Sequence, residues 1–302
     1  MIGHILVPLD GSALAESVLP AASALAGVFG ARVTLLHIVE ERPPETVHGQ
    51  PHLADADGAQ TYLEAVAGRP LFEGRRVEVH VHRPQAADVA ASVVDHAHEL
   101  EADLVVLSTH GRSGVRGFLF GSIAVRALQR GTAPILLVNP TETGEAPPFA
   151  CRTILVPLDG TAAHEPALGA ASALGRAWKA ALHLVMVVPT VGTLSGDEAA
   201  SGVFMPLTKR ALLDLAERGA AEYVLRLAES LSETGLPATG HVGRGDPATA
   251  LIEAAGRVGA NLVVMASHAK AGLDAFWSGS LTPRLMEKLR CPILLVRAIA
   301  RQ

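Results

Sequence analysis

Aromatic side chains are scarce: Phe, Trp and Tyr together make up 4% of the 302 residues. The core is left to aliphatic groups, and 49% of the chain is apolar, dominated by Ala, Val and Leu. That composition suits helices packed on a parallel sheet. There are only two cysteines, Cys151 and Cys291, and they form neither a CxxC pair nor a zinc spacing. Each opens an apolar run, so both read as small buried hydrophobes. No basic surplus exists; a formal charge of -5 and a pI near 6.2 exclude a general nucleic-acid binder. Despite a mean hydropathy of +0.31, no apolar run reaches the roughly 18 to 20 residues of a membrane span. MIGHILVPLDGS has no charged leader segment and reads as a first strand. A cytoplasmic protein is the simplest expectation. Three catalytic signatures are also missing: GxxxxGK[ST], a GxGxxG after a first strand, and GxSxG.

The chain does contain itself twice. ILVPLDGS (Ile5–Ser12) returns as ILVPLDGT (Ile154–Thr161), 149 positions later. ADLVVLSTHG (from Ala102) returns as ANLVVMASHA (from Ala260), and APILLV as CPILLV, both 158 positions later. Nine additional residues therefore fall between the second and fourth strands of half two, with Pro189–Gly202 the candidate segment. NPTETGEAPPF between the halves has no apolar period and reads as a linker. The expected organisation is a domain over 1–140, a linker over 141–150 and a second domain over 151–302.

Within each half, apolar strands alternate with helical patterns. Helices are predicted over ALAESVLPAASALAGVFG, around Thr61–Ala67, near Ala87–Leu100 and over a long stretch from about Leu212 to Glu233. Strand-helix alternation means right-handed crossovers and a doubly wound parallel sheet, a Rossmann-like or flavodoxin-like α/β fold. Such sheets bind ligands beyond the carboxyl ends of their strands. Asp10, Ile38 and the Ser108–Ser122 loop all follow strand ends. Glycines and a helix start favour an anion, since Gly111 admits close backbone approach and Gly121-Ser122 offers unpaired donors. Arg112 and Arg116 add charge. The same Gly-Ser pair also reads as an ordinary helix cap, and Asp10 reads either as a turn residue or as an acceptor for an adenine amino group or ribose hydroxyl.

Thirteen histidines include His80-Val81-His82 on a strand and His96-Ala97-His98 on a helix. His80 and His82 share a strand face and could chelate zinc with His48 or His52. No further ligand completes a pattern, so solvated histidines and no metal site are expected.

Together, VPLDGS, LLHIV, THGRSGVRGFLFGS and PILLV resemble the universal stress protein family, over nearly the whole chain and in both halves. The resemblance implies a five-stranded sheet of order 3-2-1-4-5 in each half. With that order, Cys151 and Cys291 lie about two strand spacings apart, too far for a disulfide. ATP-binding members carry a loop G-x2-G-x9-G-S/T. Half one reads Ser108-x2-Gly111-x9-Gly121-Ser122, and half two reads Ala266-x2-Ala269-x9-Gly279-Ser280. The implied nucleotide site of half one includes Pro8. Asp10 and the Ile38 backbone hold adenine and ribose, Ser108, His110 and Gly111 face ribose and phosphates, and Gly121, Ser122 and Ile123 hold phosphates. In half two, Asp159 and Val187 stand at the Asp10 and Ile38 positions, while His268, Gly279 and Ser280 keep part of the loop. A methyl at Ala269, where half one has glycine, makes this second site the degenerate one.

The resemblance thus implies a stress-response sensor or regulator binding ATP, with or without Mg2+, and at most slow hydrolysis. The duplicated PILLV strands imply an internal pseudo-dimer, with a homodimer as a further expectation. Two other readings stand beside it: a nucleotide-free interaction or chaperone-like scaffold, and a small-molecule or lipid binder using the half-two extension.

Overall fold

The computed structural model describes residues 2–41, 45–47, 50–51, 53–86, 88–109, 131–140, 149–161, 165–194, 206–267 and 281–298. Contacts divide the chain into two units. Unit 1 is Met1–Ala150 joined by Pro292–Arg297, and unit 2 begins at Cys151.

Unit 1 is built on β1 (His4–Pro8), whose first four residues are buried. The helix predicted after it is divided into Ala13–Glu16 and Leu19–Phe29. Pro20 explains the division: proline lacks an N–H and clashes with the preceding turn, so it can open a helix but not continue one. The second helix buries Leu25 together with Ala21, Ala22 and Ala26, whose small side chains let it lie close to the sheet, and ends on Gly30. β2 (Arg32–Glu40) follows, then a short antiparallel pair, β3 (Thr46–Val47) and β4 (Gln50–Pro51). The helix Ala56–Ala67 is capped by the Asp55 carboxylate, which accepts from the Gly58 N–H. Next come β5 (Arg76–Ala86), the helix Val89–Glu99, β6 (Leu104–Ser108) and β7 (Ile135–Val138).

The strand order is β5-β2-β1-β6-β7, with every pair in that series parallel. The last described strand of the chain, β12 (Ile293–Arg297), joins unit 1 antiparallel to β7, with Ile293 opposite Leu137 and Leu295 opposite Ile135. The two copies of the PILLV strand therefore pair within one molecule.

Unit 2 holds β8 (Thr153–Leu158), β9 (Ala181–Val188), β10 (Ala238–Arg244) and β11 (Leu262–Ser267), in the parallel order β10-β9-β8-β11. Its helices are Glu165–Trp178, Pro206–Glu233, Pro247–Val258 and Leu281–Lys288. The long helix begins six residues earlier than the sequence pattern suggests. It lies directly on β10, where a Cβ on Gly240 would sit 2.8 Å from the Val224 backbone.

The ladders also refine where the halves differ in length. Ile38 is level with His82, and Val187 is level with Gly243. Third-strand equivalents are thus 161 positions apart, so twelve residues are gained before that strand. Three are returned after it, where β5 runs on to Ala86 through an irregular pairing with β2. The nine-residue difference seen in the sequence is the net of these two changes.

Candidate functional site at the strand ends

In unit 1 the topology places β1 between β2 and β6, so Pro8, Asp10, Ile38 and Ser108 stand at the carboxyl ends of three adjacent strands. The junction is tightly fastened. The Leu9 N–H donates to the Leu36 carbonyl at 2.8 Å, and the His37 ring Nδ1 lies 2.8 Å from the Leu9 carbonyl. A carbonyl only accepts, so Nδ1 of His37 carries the proton. On the other side, the Thr109 N–H donates to the Val138 carbonyl at 3.0 Å, and its hydroxyl to Asn139 Oδ1 at 2.7 Å.

Asp10 makes a compact turn at this mouth. Its Oδ1 accepts from the Ser12 N–H at 2.9 Å and from the Ser12 hydroxyl at 2.6 Å. The Ser12 oxygen in turn caps the helix Ala13–Glu16 by accepting from the Ala15 N–H. Gly11 takes φ +88°, a left-handed conformation costly for any residue with a Cβ. Turn geometry therefore occupies one oxygen of Asp10, and the other, Oδ2, has no hydrogen bond among the described residues.

Unit 2 repeats the turn. Asp159 Oδ1 accepts from the Thr161 N–H at 2.9 Å and its hydroxyl at 2.7 Å, and Gly160 takes φ +78°. Val187 stands on β9 as Ile38 stands on β2. Ala266 is buried in β11. The loop residues His110, Gly111, Arg112, Gly121, Ser122, Ile123, His268, Gly279 and Ser280 lie outside the described residues.

Beside the Asp10 turn sits a cluster that sequence reasoning missed. Arg69 grips Glu16 with both guanidinium nitrogens, at 2.6 and 2.9 Å, and the Tyr62 hydroxyl donates to Glu16 Oε1 at 2.9 Å. Burial, then the Glu16 charge, pushes the Tyr62 phenol far above its ordinary range. This cluster ties the helix carrying the Ser12 cap to the helix Ala56–Ala67. Its members are 46 and 53 residues apart, so no local pattern reveals them.

Arg284, 158 positions after Arg126 and so its counterpart in half two, is already engaged. Arg284 forms a two-pronged pair with Asp246 at 2.8 and 2.6 Å. Asp246 also caps the helix Pro247–Val258 through the Thr249 N–H. Arg284, then Thr249, holds the Asp246 carboxyl well below the usual range.

The two cysteines are free, and burial raises the Cys151 thiol to about 12 and the Cys291 thiol to about 11. Neither supplies a thiolate at neutral pH. His48 and His52 fall outside the described residues, and His80 and His82 instead meet His96.

The Universal stress protein family matches residues 1–139 and again 150–297. The chain belongs to that family. A universal stress protein of Mycolicibacterium smegmatis is 31% identical over 140 residues, 45% of this chain and 45% of that relative's own length. The matched stretch thus spans less than half of that relative. A solved universal stress protein from Archaeoglobus fulgidus shares 15% identity with a TM-score of 0.69, over 99% of this chain and 97% of its own, which is a likeness of the tandem fold. Another solved universal stress protein, in complex with cAMP, aligns with 46% of this chain and 97% of its own at 20% identity and a TM-score of 0.34. Among the described residues, no helix is long and apolar enough to cross a membrane.

Proposed function

We propose that the chain is a stress-response protein that binds an adenine nucleotide, ATP in the first instance, at the strand-end mouth of unit 1. The observation that carries this reading is the Asp10 carboxylate at the end of the central strand, with Oδ1 used in its turn and Oδ2 without a hydrogen bond among the described residues. Ile38 and Ser108 flank it from the neighbouring strands. An adenine amino group or a ribose hydroxyl is the natural partner for such an oxygen, and the loop 108–123 supplies the phosphate end. Among the described residues, no three His, Cys, Asp or Glu side chains gather to hold a metal, so Mg2+ would enter on the phosphates. Unit 2 repeats the turn but has Ala266 and Ala269 in its loop, and serves as a weaker second site.

Calorimetric titration of ATP into the full chain tests this. Asp10→Ala should weaken binding about tenfold or more, the usual cost of losing a hydrogen bond to a charged group, and Gly111→Ala should weaken it too. Unaltered affinity in both variants would remove the assignment.

One observation favours a second reading as an interaction scaffold. The helix Pro206–Glu233 exposes Leu207, Leu212, Leu215 and Leu225, Leu207 to 83%. A protein that binds no nucleotide but captures a partner through this face would support that reading.

A further inference from the structure

Three imidazoles meet at the middle of β5. His80 and His82 project from the same face of that edge strand, and His96 reaches them from the helix Val89–Glu99. The His96 ring centroid lies 4.9 Å from that of His80 and 4.8 Å from that of His82. His96 is buried, 6% exposed, with ring Nδ1 2.8 Å from the Ser92 carbonyl. Its Nδ1 therefore carries a proton, and Nε2 is the basic nitrogen.

The fold does not require these rings. Ladder register and helix caps place His241, Gly243 and Ala254 at the same positions of unit 2. There the helix packs closely enough that a Cβ on Gly243 would meet the Ala250 methyl at 3.2 Å. Unit 1 has put two additional imidazoles into a junction that unit 2 fills without them. The cluster also adjoins the proposed nucleotide mouth, because His82 is level with Ile38 in the β2–β5 ladder.

We propose that His80, His82 and His96 form an acid sensor particular to unit 1, in which proton uptake forces the Val89–Glu99 helix away from β5 and loosens that strand beside Ile38. Two imidazolium rings at this separation repel, and the partly buried setting screens them poorly. The surrounding charges do not cancel that repulsion. Glu99 on the helix favours protonation, yet burial, then His96 with His82, depresses the His80 ring, and burial, then His96, depresses the His82 ring. Glu78 and Arg76 lie further down the same face of β5, and the neighbouring β2 positions, Leu36 and Ile38, are apolar. Arg83 is drawn to Asp57 at 3.6 Å, and Asp95 and His98 lie on the helix beside His96. The consequence for nucleotide affinity rests on the function proposed above.

The test is a ring-resonance NMR titration of the full chain from about pH 7.5 to about pH 5, with His96→Ala, the unit 2 residue, and His82→Gln as a milder variant. In the parent, His80 and His82 should titrate below the ordinary 6.5. Removing His96 should move both upward, and removing His82 should move His80 upward. Titration at or above the ordinary value, or midpoints indifferent to both variants, would overturn the sensor. ATP affinity measured at both ends of the range should fall on acidification in the parent and fall less in His96→Ala. An equal fall in both would overturn the coupling. Absence of ATP binding at either pH would count against the nucleotide reading and, with it, the coupling, while the ring titration still decides the sensor.

Discussion

The two units carry one architecture with its special residues exchanged, and the exchanges show which features the fold requires. The helix before β2 ends on Gly30 at φ +66°, whereas its unit 2 equivalent ends on Lys179 at φ +54°. At the turn before the fourth strand the exchange is reversed: unit 1 has Glu101 at φ +50° and unit 2 has Gly259 at φ +60°. Both backbones demand the left-handed conformation at both points, but each unit supplies glycine at only one. The strand-end turns, by contrast, are the same in both: Asp10-Gly11-Ser12 and Asp159-Gly160-Thr161 keep their hydrogen bonds and glycine angles. What is shared there is the mouth of the sheet. What differs is the loop sequence and the histidine cluster.

Exchanging residues between units should break the comparison most severely at Gly240. Unit 1 has Val79 at the same ladder position. Gly240→Val should destabilise unit 2 by about 1–3 kcal/mol, the usual cost of overpacking, because the added atoms run into the Val224 backbone. Thermal or urea unfolding would measure it. Gly11→Ala comes next, with a cost of roughly 1–3 kcal/mol: besides the φ penalty, its Cβ would lie 2.9 Å from Leu53 Cγ. The matching Gly160→Ala should cost less, since it meets only the flexible Met186 Cε at 3.3 Å.

Lys179→Gly and Glu101→Gly should each stabilise the chain by up to about 1 kcal/mol, by relieving the left-handed strain with the other unit's own residue. Unfolding midpoints that fall in both would show that the side chains of Lys179 or Glu101 contribute more than the backbone strain costs.

The smallest and broadest effect is on pH. His4, His80, His82, His183 and His241 are all depressed below 6.5, with burial the largest cause in each. The unfolded chain then binds these protons more readily than the folded one. Stability is accordingly fully present above about pH 6.5 and declines as the pH falls through and below it. Melting temperatures across that window should fall on acidification, and by less in His96→Ala.

Much of this was legible because the chain is written twice. The repeated ILVPLDG, LVV and PILLV strands located the sheet, and Asp10 and Asp159 marked its mouth. Long-range pairing was not legible. Glu16, Tyr62 and Arg69 come together only after a helix and three strands intervene. The histidine pair was matched in sequence to His48 and His52, in the segment before the strand. Its observed partner, His96, lies across the following crossover, and its neighbour His98 is exposed because residues two apart on a helix point to different sides. Fasteners show the same limit. Asp103 accepts from the Gly3 and His4 N–H groups, and Asn261 does so from Arg152 and Thr153 in unit 2, a duplicated clasp that no strand pattern announces.

The two equivalent aspartates, Asp10 and Asp159, are proposed to do unequal work. Titrating ATP calorimetrically into Asp10→Ala and Asp159→Ala versions of the full chain tests this most directly. Asp10→Ala should remove the main binding event, and Asp159→Ala should leave it intact. Binding lost only in Asp159→Ala, or unchanged in both, would contradict the proposal.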